Sequence, residues 1–208
     1  MAITFHPDGR ITGAQIEANL KNTGSGQILE TIACMCDGRT VTVPSGSYAI
    51  TDVTASQAST TTEATCLGSE INYTPPVGTK QLVYNYEFQM DVTSLSGLSQ
   101  FETVVDGTLV IPSQRAFSSN YASTNWNHGQ FRFSAGYTFD LNASSTDVSQ
   151  GQFQAGTWTS AKTIKVQFRT YNTSYTISLH RNQYWDGVTA SGTNMEPIKP
   201  TLYIQALA

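Results

Sequence analysis

The sequence predicts an all-β protein: an antiparallel jelly-roll β-sandwich preceded by a small β-rich N-terminal docking arm. Three observations point there. Two long segments alternate apolar and polar residues with a period of two, the signature of strands with one buried face. Gly, Asn, Asp and Pro recur at short intervals between apolar runs, which is the punctuation of strand–turn–strand structure. Polar character comes from Ser, Thr, Asn and Gln, while charged residues are only 12% of the chain, about half the usual share for a globular domain.

The chain is organised around residues 68–92, GSEINYTPPVGTKQLVYNYEFQMDV. After Pro75-Pro76 and the turn residue Gly78, Leu82, Tyr84, Tyr86, Phe88, Met90 and Val92 share one parity. Gln81, Asn85, Glu87, Gln89 and Asp91 share the other, with Val83 as the exception, so one greasy face and one wet face are expected.

Before this stretch, residues 14–20 have room for one or two helical turns, with Ile16 and Leu20 on one face. A helix so short is marginal alone. Residues 28–36 read as an apolar strand that turns at Asp37-Gly38 into a returning strand at 39–43, with a third at 48–53. This meander is too small to bury much surface by itself. The segment 55–65 is polar, a linker or an edge strand. Residues 1–67 are therefore expected to form a docking arm and small meander, and residues 68–208 the head.

Within the head, residues 101–105, Asp106-Gly107 and 108–111 make the clearest hairpin. Residues 116–122 are a weaker strand. Residues 130–141 alternate again, with Phe131, Phe133, Ala135, Tyr137, Phe139 and Leu141 expected inward. In 163–171 the inward set is Ile164, Val166 and Phe168. Tyr175, Ile177 and Leu179 continue it, with Ser178 and His180 expected outward. A last strand at 200–207 points Leu202, Ile204 and Ala206 inward. About eight strands after residue 70 suit a jelly roll.

Composition excludes some functions. A net charge of −4 with no basic run argues against nucleic-acid binding. No apolar run reaches the roughly 18–20 residues of a membrane span, so no membrane insertion is expected. The N-terminal MAITFHPDGRITGAQ lacks the basic and apolar regions of a signal peptide, and the expectation is a protein made in a cytoplasm that leaves it by lysis or assembly. Cys34, Cys36 and Cys66 give an odd count and a poor zinc spacing, and read as buried free thiols.

No catalytic constellation, cofactor motif or metal motif stands out. His6, His128 and His180 are scattered and read as solvent-facing; Glu87 and Asp91 read as surface carboxylates on one strand. Asn72, Asn142 and Asn172 begin glycosylation-like triplets, which are expected by chance in a chain this rich in Asn, Ser and Thr. The candidates for ligand contact are aromatic loops, Trp126 with His128 and Tyr184-Trp185-Asp186. A pyranose has an apolar face and a polar rim, which such side chains match; the same tryptophans would equally cap a sandwich core.

Four segments carry a resemblance. CDGRTVTVPSGSYAITDVTA at 36–55, the 68–92 stretch, TWTSAKTIKVQFRTYNTSYTISLHRNQYWDG at 157–187 and KPTLYIQALA at 199–208 resemble a module of marine and cyanophage-type virion proteins, tail-fibre-like or structural. The resemblance implies a bacteriophage virion protein, attached to capsid or tail, with a jelly-roll head. It further implies a homotrimer, a decoration, head-fibre or short spike protein that meets other virion proteins through its N-terminal part. Binding of host-surface glycans by the head is the alternative.

Overall fold

The structure, a computed structural model, describes residues 4–5, 11–12, 26–92, 97–119, 129–181 and 197–208. The strands are β1 (Thr4–Phe5), β2 (Ile11–Thr12), β3 (Ile28–Met35), β4 (Thr40–Val43), β5 (Gly46–Ala49), β6 (Gln57–Ala58), β7 (Ala64–Thr65), β8 (Ile71–Tyr73) and β9 (Gln81–Val92). They continue as β10 (Leu98–Val105), β11 (Thr108–Leu109), β12 (Arg115–Ser118), β13 (Gly129–Ala143), β14 (Gln152–Gln154), β15 (Lys162–Thr170), β16 (Ile177–Leu179) and β17 (Thr201–Leu207). The helical content of the described residues is two 3-10 turns.

Four antiparallel pairs are nested in the chain: β3 with β17, β8 with β15, β9 with β13, and β10 with β12. Alternate pairs go to opposite sheets. β3, β17, β9 and β13 lie side by side in one sheet, and β8, β15, β10 and β12 in the other. This is one long hairpin wrapped on itself, the jelly-roll arrangement, and the predicted fold class holds. The β10–β11 connection is the expected two-residue turn. Asp106 and Gly107 have φ of 48° and 82°, the left-handed pair that matches strand twist.

The core between the sheets follows the parity of β9, whose Leu82, Tyr84, Tyr86, Phe88, Met90 and Val92 are all buried. Phe88 from this sheet tilts against Phe101 from the opposing one at 5.3 Å between centroids, and Phe101 stacks on its neighbour Phe168 at 5.8 Å. β13 departs from full alternation. Ala135, Phe139 and Leu141 are buried, but Phe133 and Tyr137 are half-buried and Phe131 is exposed. Opposite that end stands only the four-residue β12, so Phe131 has little beyond Phe117 to pack on, at 4.9 Å between centroids.

Three expectations change. The strand at 39–43 does not return along 28–36; β4 pairs with β5, and β3 with β17, which starts 173 residues further on than β3. Asp91 is not a surface carboxylate but fully buried. The expected division at residue 67/68 falls inside the packing. β3 belongs to the same sheet as β9, and β7 pairs with β15. Cys36, Ile50, Val53 and Cys66 share one core with the head. At Gly68 (φ 87°) an added Cβ would sit 2.7 Å from Val53 and 3.0 Å from Cys36. Non-local pairing chose this arrangement, because only there does the apolar face of 28–36 meet a second apolar surface. A fragment of residues 68–208 is therefore expected to be insoluble or unfolded by circular dichroism, since it strips β3 from β17 and β7 from β15 and leaves the core open.

The hairpin β4–β5 is fastened by a buried carboxylate. Glu30 accepts hydrogen bonds from the Tyr73 hydroxyl (2.6 Å), the Ser45 hydroxyl (2.6 Å) and the Ser45 amide (2.8 Å). Burial together with this carboxylate pushes the Tyr73 phenol up, so it stays a donor.

Candidate functional site

The predicted ligand-contact residues Trp126, His128, Tyr184, Trp185 and Asp186 lie outside the described residues, as does His6. The remaining histidine is described and overturns its expectation: His180 is fully buried. The strand β16 ends at Leu179, and His180 takes φ of 62°, which turns its ring inward toward Tyr86 and Phe88. Its amide donates to Gln89 O at 2.7 Å, and Nε2 lies 3.4 Å from the Tyr86 hydroxyl. A left-handed backbone at a strand end is what a period-two pattern cannot show.

This ring belongs to a buried polar seam. The Tyr84 hydroxyl donates to Ser69 O and the Tyr86 hydroxyl to Leu67 O, both reaching from β9 to the loop between β7 and β8. Ser69 Oγ donates to Cys66 O at 2.8 Å and accepts from the Val166 amide at 3.1 Å. The seam thus satisfies a loop that crosses the interior, where an unmade hydrogen bond costs about 1–3 kcal/mol. All three cysteines are free and buried. Burial, then the neighbouring Cys34, pushes the Cys36 thiol up to about 12, and burial raises Cys66 as well, so both are inert as nucleophiles. No group of three or more His, Cys, Asp or Glu among the described residues is arranged to hold a metal.

Burial lowers the His180 pKa from 6.5 to about 4. The unfolded chain therefore binds this proton before the folded one does. The contribution is fully present above pH 6.5 and is lost as pH falls toward 4, up to about 3 kcal/mol. The urea midpoint is expected to drop between pH 7.5 and 4.5 by more in the parent than in His180→Asn, which tolerates the left-handed backbone but does not titrate.

One groove among the described residues offers a place for a ligand. It has a volume of about 470 Å³ and runs between the turn after β8 and the residues following β14, walled by Pro75, Pro76, Leu141, Asn142, Gly156 and Trp158. Gly78 has φ of 93°, and Thr79 returns both its amide and its hydroxyl to Pro76 O, so the turn is rigid. Trp158 is held by Nε1 donating to Tyr73 O at 3.1 Å and by Phe153 at 4.5 Å. Sequence reasoning singled out Pro75-Pro76 but not this tryptophan, which stands in a short polar run with no periodic signal. No helix among the described residues is long and apolar enough to cross a membrane.

No protein-family model matches the sequence, and no curated protein matches it. Among solved structures, the chain is similar to that of the infectious bursal disease virus Gx strain, with 12% identity and a TM-score of 0.37. It is also similar to the VP2 subviral particle of infectious bursal disease virus, with 13% identity and a TM-score of 0.35, and to the Gt strain, with 12% and 0.35. Each match covers 100% of this chain but only 40–42% of the other. The chain thus spans about two fifths of those chains' length. The jelly-roll assignment rests on the nested strand pairs.

Proposed function

We propose that this chain is a non-enzymatic bacteriophage virion structural protein, a trimeric capsid decoration, head-fibre or short spike protein. Its N-terminal part attaches to other virion proteins and its sandwich is displayed outward on the particle. The observation that carries this reading is the complete eight-strand wrap, an architecture used by viral capsid and lectin domains, in a chain whose four quoted segments resemble virion proteins. The buried ionisable groups agree. Glu30, Tyr73, Tyr84 and Tyr86 are tied into structural hydrogen bonds, and none of them or His180 lines the groove. Fold alone does not dictate function, so the test is direct: light scattering of the purified protein and co-sedimentation with virus particles. The expected result is a mass of three chains and saturable binding to particles; a monomer without affinity for particles refutes it.

A second reading is a receptor-binding module for host-surface carbohydrate. The groove beside Trp158 favours it, because it offers apolar walls and the Asn142 amide together. A glycan array decides, with Trp126→Ala and Trp185→Ala as variants for the aromatic loops; no binding by the parent removes this reading.

A further inference from the structure

We infer that the outer face of β9, β17 and β3, together with the open edge of β3, is the surface on which a second copy of this chain docks. The inference rests on the assembly reading above and names its contact. Register puts the outward side chains of this sheet in rows across the strands. Ala33, Tyr203 and Asn85 stand in one row and Thr31, Gln205 and Val83 in the next, with no charge in either. The following row reaches Glu87, which is paired with Arg132.

The opposite sheet is built differently. Its outer side carries the ion pairs Arg169–Glu63 (3.0 Å) and Lys165–Glu70 (3.9 Å). Charge thus lines the middle of the opposite face, whereas the two central rows over β3, β17 and β9 carry none and the nearest charges, Glu87 and Arg132, are paired with each other. Interfaces lose charge at their centres in the same way.

The edge adds a second argument. The amide of Cys36 donates to Pro200 O, and with this register the main-chain groups of Thr31, Ala33 and Met35 point away from β17. Among the described residues no strand pairs with β3 on that side. Soluble sheets blunt such edges with Lys, Pro, bulges or inward-pointing charges. β3 has no Lys or Pro; its one charge, Glu30, turns into the core and is satisfied there by Tyr73 and Ser45, while Ile28 and Met35 are 56% and 50% exposed. Three strands about 4.8 Å apart and seven residues long present roughly 330 Å². A standard interface takes about 800 Å² from each partner, so the face needs the adjoining edge to make a stable contact. A neutral face carries no charge pattern to select a different protein, an open strand edge is a ready template for another chain, and the trimer proposed above supplies one whose facing patch need not be the same. These point to a second copy.

The test is mass against concentration for the parent, Ala33→Lys, Gln205→Glu and Thr31→Glu, all at solvent-facing positions, with Gln167→Lys on the opposite sheet as control. Thermal melting identifies any variant that does not fold, and the other two then decide. The parent and the control are expected to assemble, and the face variants to need at least tenfold more protein to do so. Amides of Thr31, Ala33 and Met35 are expected to be protected from hydrogen exchange in the parent and to lose that protection in the variants. Face variants that assemble like the parent overturn the docking surface and leave the virion reading intact. A parent that is monomeric yet binds particles also overturns it, since the face then meets another protein. A parent that neither assembles nor binds particles removes the virion reading itself.

Discussion

Phe101→Ala is expected to lower the unfolding free energy by about 3–5 kcal/mol. Phe101 is fully buried on β10. Its ring lies 4.7 Å from Phe133 and 5.3 Å from Phe88 in the opposing sheet, and 5.8 Å from Phe168 beside it at an interplanar angle of 8°. Truncation removes the ring that three others use as a common neighbour. Those three stand on two different sheets whose spacing is held by hydrogen-bonded ladders, so the cavity cannot close by a local shift. Phe101→Leu keeps most of the volume and is expected to cost less than half as much. Urea unfolding followed by tryptophan fluorescence and circular dichroism measures both; equal costs for Ala and Leu would show that the unfilled cavity is not what matters.

Gly136→Ala is expected to destabilise by about 3 kcal/mol, near the upper end for overpacking a well-filled site. The reason is a main-chain approach. Gly136 stands opposite Asn85 in the β13–β9 pair, and a Cβ added there would lie 2.1 Å from Tyr84 O and 2.8 Å from Asn85 Cα. Neither atom can move without displacing β9, the strand at the centre of its sheet. Gly107, where a Cβ would meet nothing within 4 Å, is the comparison. Gly107→Asn, which suits the left-handed turn, is expected to be nearly neutral. A Gly136→Ala protein with the parent's urea midpoint would refute the close approach.

The two long alternating segments were legible because period-two burial is a local property. Each residue's face is fixed by its neighbours in sequence, and β9 shows it at all six apolar positions. The hairpin at Asp106-Gly107 was legible for the same reason. Phe131 was not, because its exposure depends on how short the facing strand β12 is. Asp91 was not, because a polar residue on a strand's second parity is wet only if nothing else packs there, and His180 was not, because a left-handed backbone past the strand end turns its ring inward. The groove was half legible: Pro75-Pro76 and Gly78 announce a rigid turn, but Trp158 reaches it from a distant part of the chain.

The sequence by itself determined that the protein is built from antiparallel strands, which residues of β9, β15 and β17 face inward, and that its three thiols are buried. Only the tertiary structure decided that β3 pairs with β17 in the sheet of β9 and β13, so that residues 28–67 belong to the sandwich. It alone set two uncharged rows over β3, β17 and β9 against the ion pairs outside β15. Strand periodicity records which side of a sheet is apolar, but not which sheet a strand joins or what stands beyond its edge; those depend on contacts between residues far apart in the chain.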